Sequence, residues 1–167
     1  MLILPAKYVD EIKNKRTMSF NGFFQRSFFP NTPGFEGNRV TLESSVLKDA
    51  VRTKLTQSLG PVSLDLCEQT NVSVDEIYGN SKEWQPFSVR THANNLIAIL
   101  STRVFLGERL IKNQEWIRIT VDYTINMMIA VRTLKLVPGL LQPYLHWFVP
   151  HCILLRRDRT NARRIIN

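Results

Sequence analysis

The chain has 167 residues, the length of one ordinary domain and enough to bury a core of its own. Hydrophobic residues at 44% and charged residues at 22% exclude a disordered chain, and two cysteines exclude a disulfide-rich secreted scaffold. The net charge of +8 is compatible with an acidic partner, a nucleic acid or an anionic membrane and selects none of them.

The N-terminal Met1-Leu-Ile-Leu-Pro5 is too short for a signal peptide or a membrane anchor. It reads as the last residues of a strand, followed by a helical turn from Lys7 to Lys13. The C-terminal stretch from Arg156 to Asn167 is helical without a glycine or proline stop, so both ends read as cuts. Residues 19–39 hold six of the nine phenylalanines with no sustained period and with turn signals at Asn21-Gly22, Pro30-Asn31 and Pro33-Gly34. An irregular segment lying on an apolar surface is expected there.

From Ser44 to Leu59 the pattern is helical, with Val46, Leu47, Ala50, Val51, Leu55 and Leu59 on one side and Gly60-Pro61 as the stop. A second helix is expected over Val62–Ile77, ending at Tyr78-Gly79-Asn80. Residues 88–106 form the clearest helix, with Leu96, Ile97, Ile99, Leu100, Val104 and Phe105 on its apolar face and Gly107 as cap. Between Glu115 and Leu136, Ile117, Ile119, Val121, Tyr123 and Ile125 alternate as in a strand, yet Ile117, Val121, Ile125 and Met128 also keep helical spacing. The length of the run favours helix. Residues 136–155 carry no charged side chain, but Pro138, Pro143 and Pro150 argue against a membrane-crossing helix. A segment in a membrane interface, with Tyr144 and Trp147 at headgroup level, and a packed loop between helices both remain open. The fold class is mainly α, with about six helices and no internal domain boundary across residues 1–167.

Chemistry-bearing motifs are sparse. No phosphate-binding glycine loop, nucleophile elbow or zincin motif is present. His146, His151 and Cys152 match no standard zinc spacing. Asn71-Val-Ser73 is a glycosylation sequon inside an expected helix, and Asp75 and Glu76 point apart on it. Arg156, Arg157, Arg159, Arg163 and Arg164 suit phosphates or, more simply, a solvated helix face. Arg52 lies mid-helix beside apolar residues with Lys48 and Lys54 nearby, and an inner-side arginine there calls for an anion such as a cofactor carboxylate; a surface position is the alternative.

Six ordered segments carry a resemblance: Leu-Pro-Ala-Lys-Tyr-Val-Asp-Glu (4–11), Phe-Phe-Pro-Asn-Thr-Pro-Gly-Phe-Glu-Gly (28–37), Val-Arg-Thr-Lys-Leu-Thr-Gln-Ser-Leu-Gly (51–60), Ser-Thr-Arg-Val-Phe-Leu-Gly-Glu (101–108), Asn-Gln-Glu-Trp-Ile-Arg-Ile-Thr-Val-Asp-Tyr-Thr (113–124) and Leu-Gln-Pro-Tyr-Leu-His-Trp-Phe-Val-Pro (141–150). Together they resemble filamentous-fungal microsomal cytochrome P450 monooxygenases of secondary metabolism, over essentially the whole chain. The resemblance implies a partial P450 fold, a truncated B-to-G helix region lacking most of the β-sheet and the haem-thiolate core. Residues 51–60 would fall in the C helix, 88–106 in the E helix, 115–134 in the F helix, 136–152 in the F–G region and 153–167 at the start of the G helix. The segment between Phe28 and Ser44 resembles the loop over the substrate pocket.

Arg52 occupies the position of the family's haem-propionate arginine, although the tryptophan often found four residues earlier is Lys48 here. The family's axial cysteine stands in Phe-x-x-Gly-x-x-x-Cys-x-Gly, a context that neither Cys67 nor Cys152 has. The I-helix oxygen-handling motif and the Glu-x-x-Arg pair are also missing from the sequence. The implied reading is an inactive, truncated P450 with no catalytic residues or metal ligands of its own, in a family that uses haem, a hydrophobic substrate and NADPH-cytochrome P450 reductase. Family members sit at the endoplasmic reticulum membrane; without an anchor the chain is expected in the cytoplasm or on a membrane surface, touching it through 136–152. No nucleic acid is expected, and haem is not expected to bind these residues alone. Two alternatives stay open, a piece of a longer active enzyme and a basic membrane-surface module.

Overall fold

The computed structural model describes residues 4–15, 17–45, 49–79, 83, 84, 86 and 88–167, and every regular element among them is helical. Of the expected N-terminal strand, Met1–Ile3 lie outside the described residues, as does Lys48, and Leu4 and Pro5 carry no regular structure. A 3-10 turn, Ala6–Tyr8, leads into α1 (Val9–Lys13). Residues 19–39 depart from the irregular segment expected of them. They hold α2 (Phe20–Phe28) and the start of α3 (Glu36–Glu43). The Ser19 hydroxyl accepts the Gly22 N–H at 3.2 Å and so starts α2. Phe20, Phe24 and Phe28 stand four apart, with ring centroids 5.8 and 4.4 Å from one to the next. Between these two helices residues 29–35 are non-helical. Phe29 closes α2 with φ of 47°.

Residues Ala50–Leu55 are wound as a π-helix, and the Thr56 N–H reaches the Val51 carbonyl. The helix expected to stop at Gly60-Pro61 does not use them as a stop. They lie in the first turn of α4 (Leu59–Tyr78), where proline's missing N–H has no intrahelical partner to lose. Next come α5 (Val89–Leu106), ended by Gly107 with φ of 81°, and the short α6 (Glu108–Ile111). Then α7 (Gln114–Lys135) begins where the Asn113 side chain accepts the Trp116 N–H at 3.0 Å. A single turn, α8 (Gln142–Leu145), precedes α9 (Pro150–Ile166), which opens on Pro150 rather than after it. Six of these α-helices, among the described residues, have eight residues or more.

Helix α7 is the centre of the arrangement. It packs on α9 along one side and on α5 and α6 along the other, while α4 packs on α5. Coverage on two sides explains its ambiguous pattern: Ile117 and Ile119 are both buried, although they lie on different flanks of a helix. The main core joins Phe35, Ala130, Val131, Leu134, Cys152 and Leu155, with Phe28, Phe29, Tyr123, Met127 and Val149 packed around it. The accessible surface is 12865 Å². A compact monomer of 19.4 kDa would expose about 8,500 Å². Much of the excess is apolar, including Leu64, Trp84, Ile97, Phe105, Leu136, Leu140 and Phe148.

Candidate functional site

Arg52 lies on the π-helical segment and is exposed. It takes up the surface alternative rather than an inner-side position, and its guanidinium is open to an anion from outside these residues. Val51 beside it is also exposed. The structure does not gather His146, His151 and Cys152 around a common point. His151 Nδ1 contacts Asn126 Oδ1 at 2.9 Å, Cys152 is fully buried in the main core, and no cluster of three metal-ligating side chains occurs among the described residues. His146 is buried, and its Nδ1 has no hydrogen-bond partner. Burial pushes its pKa below the ordinary histidine value, and the Arg156 charge pushes the same way. Ser73 of the sequon is also sealed in the structure, accepting from Gln69 Nε2 at 3.0 Å.

The basic C-terminal helix exposes Arg157, Arg163 and Arg164, as a solvated face would, while Arg156 and Arg159 are half-buried. Arg156 stacks over the Trp147 ring at 4.7 Å and donates to the carbonyls of His146 and Trp147 at 3.4 Å each. Arg159 pairs with Glu36 at 2.7 Å. Beside that pair, the Tyr123 hydroxyl donates to the Gly34 carbonyl at 2.7 Å. Burial, followed by the Glu36 charge, raises the pKa of Tyr123 and keeps it a donor. Sequence reasoning passed over Glu36 and Tyr123 as functional candidates, because each meets its partner across the fold and neither belongs to a motif.

Between α4, α5, α6 and α7 lies an open cleft of about 990 Å³ whose lining includes Ser73, Glu76, Asn95, Ile99, Arg118 and Asp122. At its edge Arg103 Nε donates to Asp65 Oδ2 at 2.7 Å and Nη1 lies 3.4 Å from Glu108. The hydrogen bond from Arg103 holds Asp65 below the usual carboxylate range, and Lys112 followed by Arg103 does the same to Glu108. The residues from 136 to 153 present Leu136, Leu140, Tyr144, Trp147 and Phe148 to the outside, and no helix among the described residues is long and apolar enough to cross a membrane.

The frame is all-helical among the described residues, with a bent aromatic segment laid across its two longest C-terminal helices. Comparison with curated proteins identifies the frame. The chain is 36% identical over 167 residues to cytochrome P450 monooxygenase bsc2 of Alternaria brassicicola, covering 99% of the chain and 32% of that protein. It is 35% identical to cytochrome P450 monooxygenase adrA of Penicillium rubens, over 98% of the chain and 32% of that relative. It is 34% identical to cytochrome P450 monooxygenase hepE of Aspergillus oryzae, over 98% of the chain and 30% of that relative. No family model and no solved structure matches. The chain belongs to the cytochrome P450 monooxygenase family, and it spans about a third of the length of the curated relatives it matches. A partial P450 fold accords with its helices.

The family implies haem, whose iron takes a cysteine thiolate. Cys152 does not fit that role: its thiol is enclosed by core side chains, and burial raises its pKa against ionisation. Cys67 stands exposed on α4, away from the residues that line the 990 Å³ cleft. The residues present do not fit a haem iron.

Proposed function

We propose that the chain forms the B-to-G helical part of a fungal P450 and that its 167 residues, taken alone, carry out no monooxygenation. The observation that carries this reading is an end-to-end match: each of these relatives aligns with 98% or more of the chain, in a stretch of about a third of its own length. Neither cysteine is suited to ligate iron, which supports the inactive half of the proposal. So does the exposed apolar surface, which suits helices that pack against further protein.

In the longer enzyme, Arg52 would take a haem propionate, the aromatic segment from Phe28 to Ser44 would lie over the substrate pocket, and a hydrophobic small molecule would be oxidised with O₂ and electrons from NADPH-cytochrome P450 reductase. Secondary metabolism is the setting proposed for it. The exposed Leu136, Leu140, Tyr144, Trp147 and Phe148 favour contact with the endoplasmic reticulum membrane through 136–152. Residues 1–167 would act as one incomplete helical unit. The second reading, a longer active product, differs only in whether the thiolate loop is translated with these residues.

Purified protein with added haem, reduced and exposed to CO, is expected to give no thiolate-type Soret band. Such a band would overturn the proposal. Reading the genomic DNA downstream separates the two readings: an intact in-frame Phe-x-x-Gly-x-x-x-Cys-x-Gly sequence would establish the longer enzyme.

A further inference from the structure

Three long-range contacts meet at one turn. Gly34 has φ of +100°, and a Cβ placed on it would come 3.2 Å from Leu155 Cβ and 3.4 Å from Arg156 Cγ. The backbone therefore lies close against α9, and the positive φ together with this tight approach favours glycine. Both polar groups of Gly34 are taken by side chains. Its N–H donates to Glu36 Oε2 at 3.0 Å, and its carbonyl accepts from the Tyr123 hydroxyl of α7 at 2.7 Å. The other carboxylate oxygen of Glu36 pairs with Arg159 of α9 at 2.7 Å. Next to this knot, Phe35 is wholly buried between α7 and α9, and Asn38 Nδ2 donates back to the Phe28 carbonyl at 3.0 Å.

Away from the knot the same stretch is loosely held. Phe20, Phe23 and Val40 are more than half exposed, and the π-helical residues Val51 and Arg52 beyond it are also exposed. Phe29 holds a left-handed conformation that a bulky side chain disfavours, so the turn depends on its surroundings to keep it closed.

We propose that Glu36, Arg159 and Tyr123 form a latch that fastens residues 29–43 as a strap across the seam between α7 and α9. Glu36 is the double-ended member, bracing the strap's own turn with one oxygen and gripping α9 with the other. Tyr123 grips from α7, so the strap closes only when both helices are in place. Opening the latch frees the strap while α7 and α9 remain packed on each other. The inference concerns this chain's own contacts and stands whether or not the strap covers a substrate pocket.

Amide hydrogen exchange by mass spectrometry on the full chain tests it, with Arg159→Gln and Tyr123→Phe as the variants. Both changes lie far in sequence from the strap and leave the N-terminus of α3 intact, and Tyr123→Phe keeps the ring in the core. Each variant is expected to speed exchange in peptides covering 29–43 by about five- to tenfold, with peptides of α4 and α5 unchanged. The double variant is expected to speed it further. Unchanged exchange at 29–43, or an equal acceleration in α4 and α5, would overturn the latch.

Discussion

The α7–α9 seam and the α4–α5 pair are built on different principles. The seam encloses Phe35, Ala130, Val131, Leu134, Cys152 and Leu155 in one continuous cluster. Along α4 the only fully sealed residue is Ser73, and Leu64, Val72 and Leu59 point outward. What α4 and α5 share most distinctly is polar, the Asp65–Arg103 pair. A part-exposed ion pair is a weak tie compared with a buried phenylalanine. The seam therefore contributes most of what holds these residues together, and the α4–α5 pair is the part that leaves apolar surface for other protein to cover.

Removing a seam anchor should have the largest effect. Phe35→Ala is expected to cost about 3–5 kcal/mol in chemical denaturation, whereas Leu64→Ala on α4 should stay within about 0.5 kcal/mol. Equal losses would erase the contrast. Asp65→Asn removes the charge that Arg103 grips. Faster hydrogen exchange is expected in α4 and α5 only, and added salt should narrow the difference from the parent chain. Acceleration in α7 and α9 as well would show that the two regions share one stability.

The smallest effect separates them by pH. His146 has its pKa lowered in the folded chain, so its stabilising contribution is complete above the ordinary value of 6.5 and is lost as pH falls through the depressed value. Asp65 is also lowered, but its contribution is complete above 3.8 and is lost only in stronger acid. Denaturation between about pH 7 and pH 5 should thus show a loss of stability that His146→Gln diminishes. An unchanged slope in that variant would remove His146 as the cause.

Local sequence could be read well where a helix carries its own signals. The Val89–Leu106 helix has a serine cap, a long apolar face and a closing glycine, and it lies within one residue of its expected span. It could be misread where one residue type serves opposite purposes. Gly60-Pro61 looked like a stop and proved to be first-turn residues, because the first turn of a helix has no use for the missing N–H. The aromatic stretch looked irregular because its glycine and asparagine suggested a turn inside what is a capped helix with phenylalanines four apart.

The sequence by itself determined the helical class, the family and the unsuitability of both cysteine contexts for a haem ligand, since composition, periodicity and ordered motifs are properties of the chain in one dimension. It also supplied the arginines of α9 without saying what they do. Only the tertiary structure decided that Arg159 meets Glu36, that Tyr123 reaches Gly34 from 89 residues away, and that Cys152 is sealed inside the core. Those outcomes depend on which helix faces meet, and that is settled by packing around Phe35 and Leu155 rather than by any local preference of the residues involved.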